Sequence, residues 1–205
     1  VLNQATVLSS EKVGLTDSLN RILAEDIFSD MDMPPFDKSA VDGFACRFSD
    51  IHDSLEVIEV IPAGKVPVHA INKGQCAKIM TGAMLPERAD GVIMVEDTES
   101  CTENTVRFLK KESGKNICYQ GEDIKRGEQL INQGTLIQPQ HIAVMATTGY
   151  VFPLVSRQVR VGILSTGDEL VEPEVRPDSS KIRNSNAYQL IAQVKNTCSV
   201  PEYSG

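Results

Sequence analysis

The sequence predicts an α+β chain of more than one domain, and three observations predict it. Between about residues 47 and 124 the chain consists of short apolar runs divided by turn residues, which is the pattern of a small barrel-like or sandwich-like β-domain. The stretches on either side carry helix signals instead. From Val159 a nearly continuous run of apolar β-formers opens a different kind of unit, that of a parallel β/α domain. With 205 residues, 41% hydrophobic and 23% charged, the composition is ordinary for a globular chain and sufficient for one large or two small domains.

The elements follow in order. Residues 1–8 have helical periodicity and read as the end of a helix, without a start methionine or an N-cap, and the last residues follow an amphipathic segment, so the sequence reads as a fragment of a longer chain. Thr16 is placed to cap a helix over about Asp17–Ala24, with Leu19, Ile22 and Leu23 on one face. Strands are expected at Leu55–Val60, Cys76–Met80, Gly91–Val95 and Thr105–Leu109, with a turn at Ala63–Lys65. Leu130, Ile131, Leu136 and Ile137 mark short extended pieces. Pro139 suits the first turn of a helix to about Thr148, Gly149 its stop, and Val151–Val155 a strand leading out. Val159–Leu164 reads as a strand buried on both faces. Ser185 or Asn186 caps a helix to about Asn196, with Tyr188, Leu190, Ile191 and Val194 on its apolar face.

Composition narrows the function. No apolar run approaches the roughly eighteen residues of a membrane span, and the start has no signal-peptide pattern. A net charge of −8, from 28 acidic and 20 basic residues, disfavours nucleic acid and suits hard cations. Five scattered cysteines without a CxxC pair indicate reduced thiols in a cytosolic protein and no zinc site, and no histidine stands near one to activate it. His52, His69 and His141 share no ligand spacing.

The organising stretch is Pro34–Ala45. Two prolines stiffen its entry, Asp37 and Asp42 stand five residues apart, and Gly43 permits close approach. It is poor helix and poor strand material and reads as a structured loop that holds acids. Three further stretches join it. Met80–Pro86, closing on Ala89-Asp90-Gly91, presents Thr81 and backbone N–H groups where the chain turns, suited to an anion. Gly121–Ile124 ends in the carboxylates Glu122 and Asp123. Ser165-Thr166-Gly167-Asp168-Glu169 follows the Val159–Leu164 strand, where ligands of open α/β sheets bind. Its hydroxyls suit phosphate, and Asp168 or Glu169 suits Mg²⁺. Taken singly, each stretch is read as well as a solvated polar turn. Together they describe acid-rich loops for a divalent cation and a phosphorylated ligand, and leave the reaction open.

The same residues resemble a family. Pro34-Pro35-Phe36-Asp37-x-Ser39-Ala40-x-Asp42-Gly43, Thr81-Gly82-Ala83-x-x-Pro86, Gly121-x-Asp123-Ile124, Ser165–Leu170 and Asn184-Ser185-Asn186 occur in the order seen in the molybdopterin molybdenumtransferase family, which includes bacterial MoeA and the E domain of gephyrin. The resemblance covers nearly the whole chain. It implies an elongated, mixed dimerisation domain in two segments, 1–30 and 125–157, around an inserted β-rich domain, 31–124. It implies that 158–205 is the start of a truncated α/β molybdopterin-binding domain. The implied protein is an L-shaped cytoplasmic homodimer whose active cleft is shared between subunits, with other cofactor-biosynthesis proteins as further partners and neither nucleic acid nor membrane.

The implied activity is insertion of molybdate into adenylylated molybdopterin, with Mg²⁺-dependent release of AMP. By motif match Asp42, Thr81, Asp123 and Glu169 are the catalytic residues. Asp42 and Asp123 come as acids from the partner subunit, and Thr81 meets an oxyanion. Ser165, Thr166, Gly167 and Asp168 bind the cofactor substrate, and Glu169 with Asp168 binds the metal. Lys38, Val41, Phe44 and Cys118 depart from the family pattern; Phe44 lacks the hydroxyl of the usual Tyr, and Cys118 lacks the charge of the usual Arg. The competing readings on the same fold are a non-catalytic scaffold and a regulatory pterin- or nucleotide-binding module. By this reading the fragment alone is inactive.

Overall fold

The computed structural model describes residues 6, 8–102, 104–110 and 112–205. The helix expected at residues 1–8 falls, but for Thr6 and Leu8, outside the described residues. Strand predominates, with two α-helices among the described residues. Contacts divide the chain into two compact units: the described residues up to Phe28 with Gln129–Gly205, and Ser29–Glu128.

The first unit opens with β1 (Ser10–Lys12), antiparallel to Leu154–Ser156, and β2 (Ile27–Phe28), antiparallel to Gln129–Ile131. The helix expected over 17–24 does not form between them. A 3-10 turn at Thr16–Ser18 ends within two residues, Asn20 takes φ 63°, and Ile22 and Leu23 bridge to Leu136 and Val155. An eight-residue helix is marginal by itself. Here the extended chain gains more. Leu23 N–H donates to Thr135 O (2.9 Å), Ala24 N–H to Leu154 O (2.8 Å), and the Leu23 side chain is fully buried.

The second unit contains β3 (Lys38–Ser39), β4 (Gly43–Cys46), β5 (Ser54–Ile61), β6 (Gln75–Ile79), β7 (Gly91–Met94), β8 (Thr98–Thr102), β9 (Thr105–Phe108) and β10 (Ile117–Cys118). Six of these form one sheet in the order β7-β4-β6-β5-β9-β8, in which β5 and β6 run parallel and the other neighbours antiparallel. β3 and β10 pair separately. Strand β4 corrects the reading of Pro34–Ala45 as loop throughout. Its four residues are all buried, because β6 and β7 flank it and both faces of the sheet are covered. Alternation at period two sends Phe44 and Cys46 into one core with Cys76 and Ile93, and Ala45 into another with Ala77, Ile79 and Val92. So short a run, opening on Gly, has no periodicity to announce it.

The first unit resumes with β11 (Gln129–Ile131), α1 (Pro139–Thr147) and β12 (Leu154–Ser156). His141 Nδ1 accepts the Gln138 N–H (3.1 Å), so this histidine caps α1. The helix ends as expected at Gly149, φ 78°, with Tyr150 N–H returned to Met145 O (2.9 Å) and Gly149 N–H to Ala146 O (3.3 Å). Leu23, Ile27, Ile131, Ile137, Met145 and Val155 form the core. β13 (Arg160–Ile163), β14 (Leu170–Val171), β15 (Ile182–Arg183), α2 (Ser185–Asn196) and β16 (Val200–Tyr203) complete the unit. β13 and β16 are parallel, as are β14 and β15.

Two expectations fail here. β13 is not buried on both faces: Arg160 and Gly162 are exposed and only Ile163 is buried, because β16 is its one strand neighbour among the described residues. The inner face of α2 is Ala187, Ile191 and Val194, spaced i, i+4, i+7, while Tyr188 and Leu190 are exposed.

Gly43 is a point of the large sheet with no room for a side chain, since a Cβ there would overlap the backbone carbonyl of Ile93. Gly43→Ala is expected to destabilise the protein by about 2 kcal/mol or more, the scale of core overpacking. Gly162→Ala, where a Cβ meets nothing, is expected to stay within about 0.5 kcal/mol. Urea unfolding of both variants checks this, and equal midpoints would contradict it.

Candidate functional site

Asp42 is the last residue before β4, and Thr81 lies two residues beyond the neighbouring strand β6. The sheet therefore delivers both to one end. Asp42 Oδ1 accepts from Thr81 N–H (2.6 Å) and from Thr81 Oγ1–H (2.7 Å). These bonds, the backbone one foremost, hold the Asp42 carboxyl below its ordinary value, so it is ionised. The hydroxyl proton of Thr81 points at Asp42 and not outward, where the expected contact to an oxyanion would need it. Ser39 N–H to Ala83 O, Gly82 N–H to Ser39 O and Leu85 N–H to Asp37 O tie residues 37–42 to 82–85. The buried Ser39 donates to Val41 O (2.6 Å) and closes the turn.

A second set of carboxylates fastens the segment that carries Asp123. Asp37 Oδ1 accepts from Gln120 N–H (2.8 Å), and Asp32 accepts from Gln120 Nε2 (3.1 Å) and Arg126 N–H (2.9 Å). Asp123 N–H donates to Met33 O (3.0 Å), and its own side chain is exposed. Sequence reasoning missed Asp32 and the role of Gln120; Asp32 accepts from a backbone N–H about ninety residues later and Gln120 donates to carboxylates more than eighty residues earlier, which no local pattern reveals. Asp42 and Asp123 thus belong to the same unit, pinned through different residues.

The other candidate stretch lies at the carboxyl end of β13. Ser165 N–H donates to Gly205 O (3.0 Å), Leu170 N–H to Gly167 O (3.1 Å) and Ile182 N–H to Glu169 O (2.8 Å), which folds residues 165–170 over β14 and β15. Gly167 has φ 154°, and a Cβ there would meet the Glu169 carboxylate, which lies back across it. A pocket of about 210 Å³ opens here, lined by Ser165, Thr166, Glu169, Arg183, Asn184 and Ser185. The N-terminus of α2 faces it, a favourable end for an anion. The cap of α2 is Asn184, not Ser185 or Asn186 as expected. Its side chain accepts from Ala187 N–H (3.2 Å) and is almost fully buried. The motif Asn184-Ser185-Asn186 signalled a cap; which Asn served depended on the strand β15 that ends at Arg183.

Among the described residues no group of three or more His, Cys, Asp or Glu side chains is gathered to hold a metal ion. Asp168 and Glu169 are both exposed and adjacent, a donor set that suits a hard cation only in part. Lys181 Nζ is held on the Asp168 carbonyl (3.2 Å) beside them. Three of the cysteines are poor nucleophiles: burial pushes the Cys46 and Cys76 thiols up to about 12, and desolvation, then Glu122, raises Cys118.

Residues 1–149 match the family model described as "MoeA N-terminal region (domain I and II)". The chain is 41% identical over 207 residues to a molybdopterin molybdenumtransferase of Bacillus subtilis (strain 168), covering 96% of this chain and 48% of that one. It is 41% identical over 203 residues to that of Staphylococcus epidermidis, with 95% and 48% covered. It therefore spans about half the length of these relatives. Among solved structures, the molybdopterin biosynthesis moeA protein from Pyrococcus horikoshii OT3 superposes with a TM-score of 0.85 at 34% identity, over 96% of this chain and 54% of that one. With nearly three quarters of its length under the family model and its fold shared with that structure, the chain belongs to the MoeA family and carries its N-terminal region.

Proposed function

We propose that the protein containing this chain is a molybdopterin molybdenumtransferase of molybdenum cofactor biosynthesis. It inserts molybdate into adenylylated molybdopterin and releases AMP with Mg²⁺. The observation that carries this reading is the coincidence of family membership with two built acidic sites, the ionised Asp42 held by Thr81 and the Ser165–Glu169 pocket. We further propose the domain division 1–30 with 125–157, 31–124 and 158–205, and a cytoplasmic homodimer in which Asp42 and Asp123 of one subunit serve the pocket of its partner.

Within this reading the residues divide the work. Thr166, Gly167 and the first turn of α2 receive phosphate, since they offer a hydroxyl and backbone N–H groups. Asp168 and Glu169 hold Mg²⁺, which when bound offsets phosphate charge. Asp42 is kept ionised by Thr81, so it accepts a hydrogen bond or orients water and cannot act as an acid near neutral pH. Thr81 acts through Asp42. Asp123, exposed on a segment fastened to Met33, supplies a second carboxylate.

In the complete protein, molybdate- and Mg²⁺-dependent AMP release from adenylylated molybdopterin is expected. Asp42→Ala and Glu169→Ala are each expected to lower kcat/KM about a hundredfold or more, as removal of a transition-state contact does. Binding without release by the wild type would overturn the enzyme reading. A second outcome concerns ionisation. Asp42 sits below its ordinary value of 3.8 because of Thr81. A carboxyl with a depressed native pKa favours the folded state above its unfolded value, and that contribution disappears as pH falls through the native value. Thr81→Val removes the hydroxyl donor and is expected to raise the Asp42 pKa toward 3.8. A carboxylate NMR titration reads this directly, and an unchanged value would show that the backbone bond alone sets it.

A further inference from the structure

The pocket beside α2 is backed by a chain of hydrogen bonds whose direction is fixed at one end. Asn184 caps α2, and the cap requires its Oδ1 to face Ala187 N–H (3.2 Å), which settles the orientation of the amide. Its Nδ2 therefore faces Tyr203 OH (2.9 Å) as donor. Tyr203 accepts that bond and so sends its own proton to Glu172 Oε1 (2.8 Å). Tyr188 OH donates to Glu172 Oε2 (2.8 Å), so the carboxylate is gripped at both oxygens. The Glu172 hydrogen bond, foremost, raises the Tyr203 hydroxyl and pushes that of Tyr188 up to about 12, so both stay protonated.

At the other end Ser165 Oγ stands 3.2 Å from Asn184 Oδ1. An amide oxygen only accepts, so the hydroxyl proton of Ser165 goes to Asn184 and its lone pairs are left for the pocket. We propose that Asn184, held by Tyr203 and Glu172, positions Ser165 as a hydrogen-bond acceptor, so that Ser165 receives an N–H of the pterin of the bound molecule and does not bind its phosphate. The assignment rests on the reading that this pocket takes adenylylated molybdopterin, whose pterin carries N–H donors while its phosphates are acceptors. It changes the expectation that both hydroxyls of the Ser165-Thr166 pair meet phosphate and leaves Thr166 alone in that role. Asn184, Tyr203 and Glu172 are positioning residues, since they act through Ser165.

The test is equilibrium binding to the complete protein of two probes, molybdopterin and AMP, with AMP release followed in parallel. Ser165→Ala is expected to weaken molybdopterin about tenfold, the loss of one good hydrogen bond, and to leave AMP within about twofold. Asn184→Ala is expected to weaken molybdopterin to a similar degree. Asn184→Asp keeps the cap and the oxygen facing Ser165 but loses the donor to Tyr203, and is expected to weaken molybdopterin less than Asn184→Ala does. Tyr203→Phe is expected to raise KM with kcat kept. An unchanged molybdopterin affinity in Ser165→Ala, or an equal loss of AMP, overturns the assignment, as does a wild type that binds no molybdopterin. Failure of the transferase reading is separate: wild-type binding that still responds to Ser165→Ala, without AMP release, keeps the assignment and removes the reaction.

Discussion

Strand β4 has no room at its first residue. Gly43 lies so close to the carbonyl of Ile93 that no side chain fits, while β6 and β7 hold the strand from either side. The constraint reaches well beyond one residue. Because β4 is clamped on both edges and buried on both faces, the residue before it is delivered to the sheet end with little freedom, and that residue is Asp42. Its backbone carbonyl accepts from Val95 N–H after β7 (3.1 Å) and its carboxylate from Thr81 after β6. A carboxylate that makes two charge-assisted bonds to one residue just past a rigid strand, on a backbone itself bonded just past another, requires no loop ordering to stay in place.

Outside that sheet, carboxylates take over the work that ladders do within it. Asp32 and Asp37 accept from backbone and side-chain N–H groups of Gln120 and Arg126, and Glu25 accepts from Leu154 N–H (2.6 Å). These residues join segments distant in sequence that have too few residues in strand to pair extensively. The acidic balance of the chain is therefore partly structural. Several acids that composition alone assigned to cations serve as acceptors for backbone donors, which would otherwise be left unpaired. A cluster of acids in sequence is thus a weak guide to metal, and the described residues gather no such group.

What the sequence made legible follows physical range. Short apolar runs bounded by turn residues found β5, β6, β7 and β9, and Pro139 with Gly149 found α1, because apolar runs, proline and glycine act locally. β4 stayed hidden, being four residues that owe their conformation to two neighbouring strands. The segment 17–24 was misread for the opposite reason: its helical spacing is real, but Leu23 and Ala24 pair with residues more than a hundred positions later. The candidate acids were recognisable as residue types at turns. That Thr81 donates to Asp42, and that Asn184 and not its neighbours caps α2, depended on strand ends that no periodicity locates.

Hydrogen-bond polarity is the part of a site that residue type conceals most. Serine and threonine are each donor and acceptor, and at the ends of strands both are readily assigned to phosphate. In this structure Thr81 gives its proton to Asp42 and Ser165 gives its proton to Asn184, so both present lone pairs. In each case the direction comes from a group that cannot reverse: an ionised carboxylate in one, an amide oriented by a helix cap in the other. The cap on α2 thus does more than satisfy Ala187. It polarises Tyr203 and Ser165 together, since an amide with its oxygen committed to the helix has only its nitrogen for the tyrosine. A buried side chain with a single permitted orientation converts an ambivalent hydroxyl into an acceptor, and the discrimination between an N–H and a phosphate oxygen follows from that.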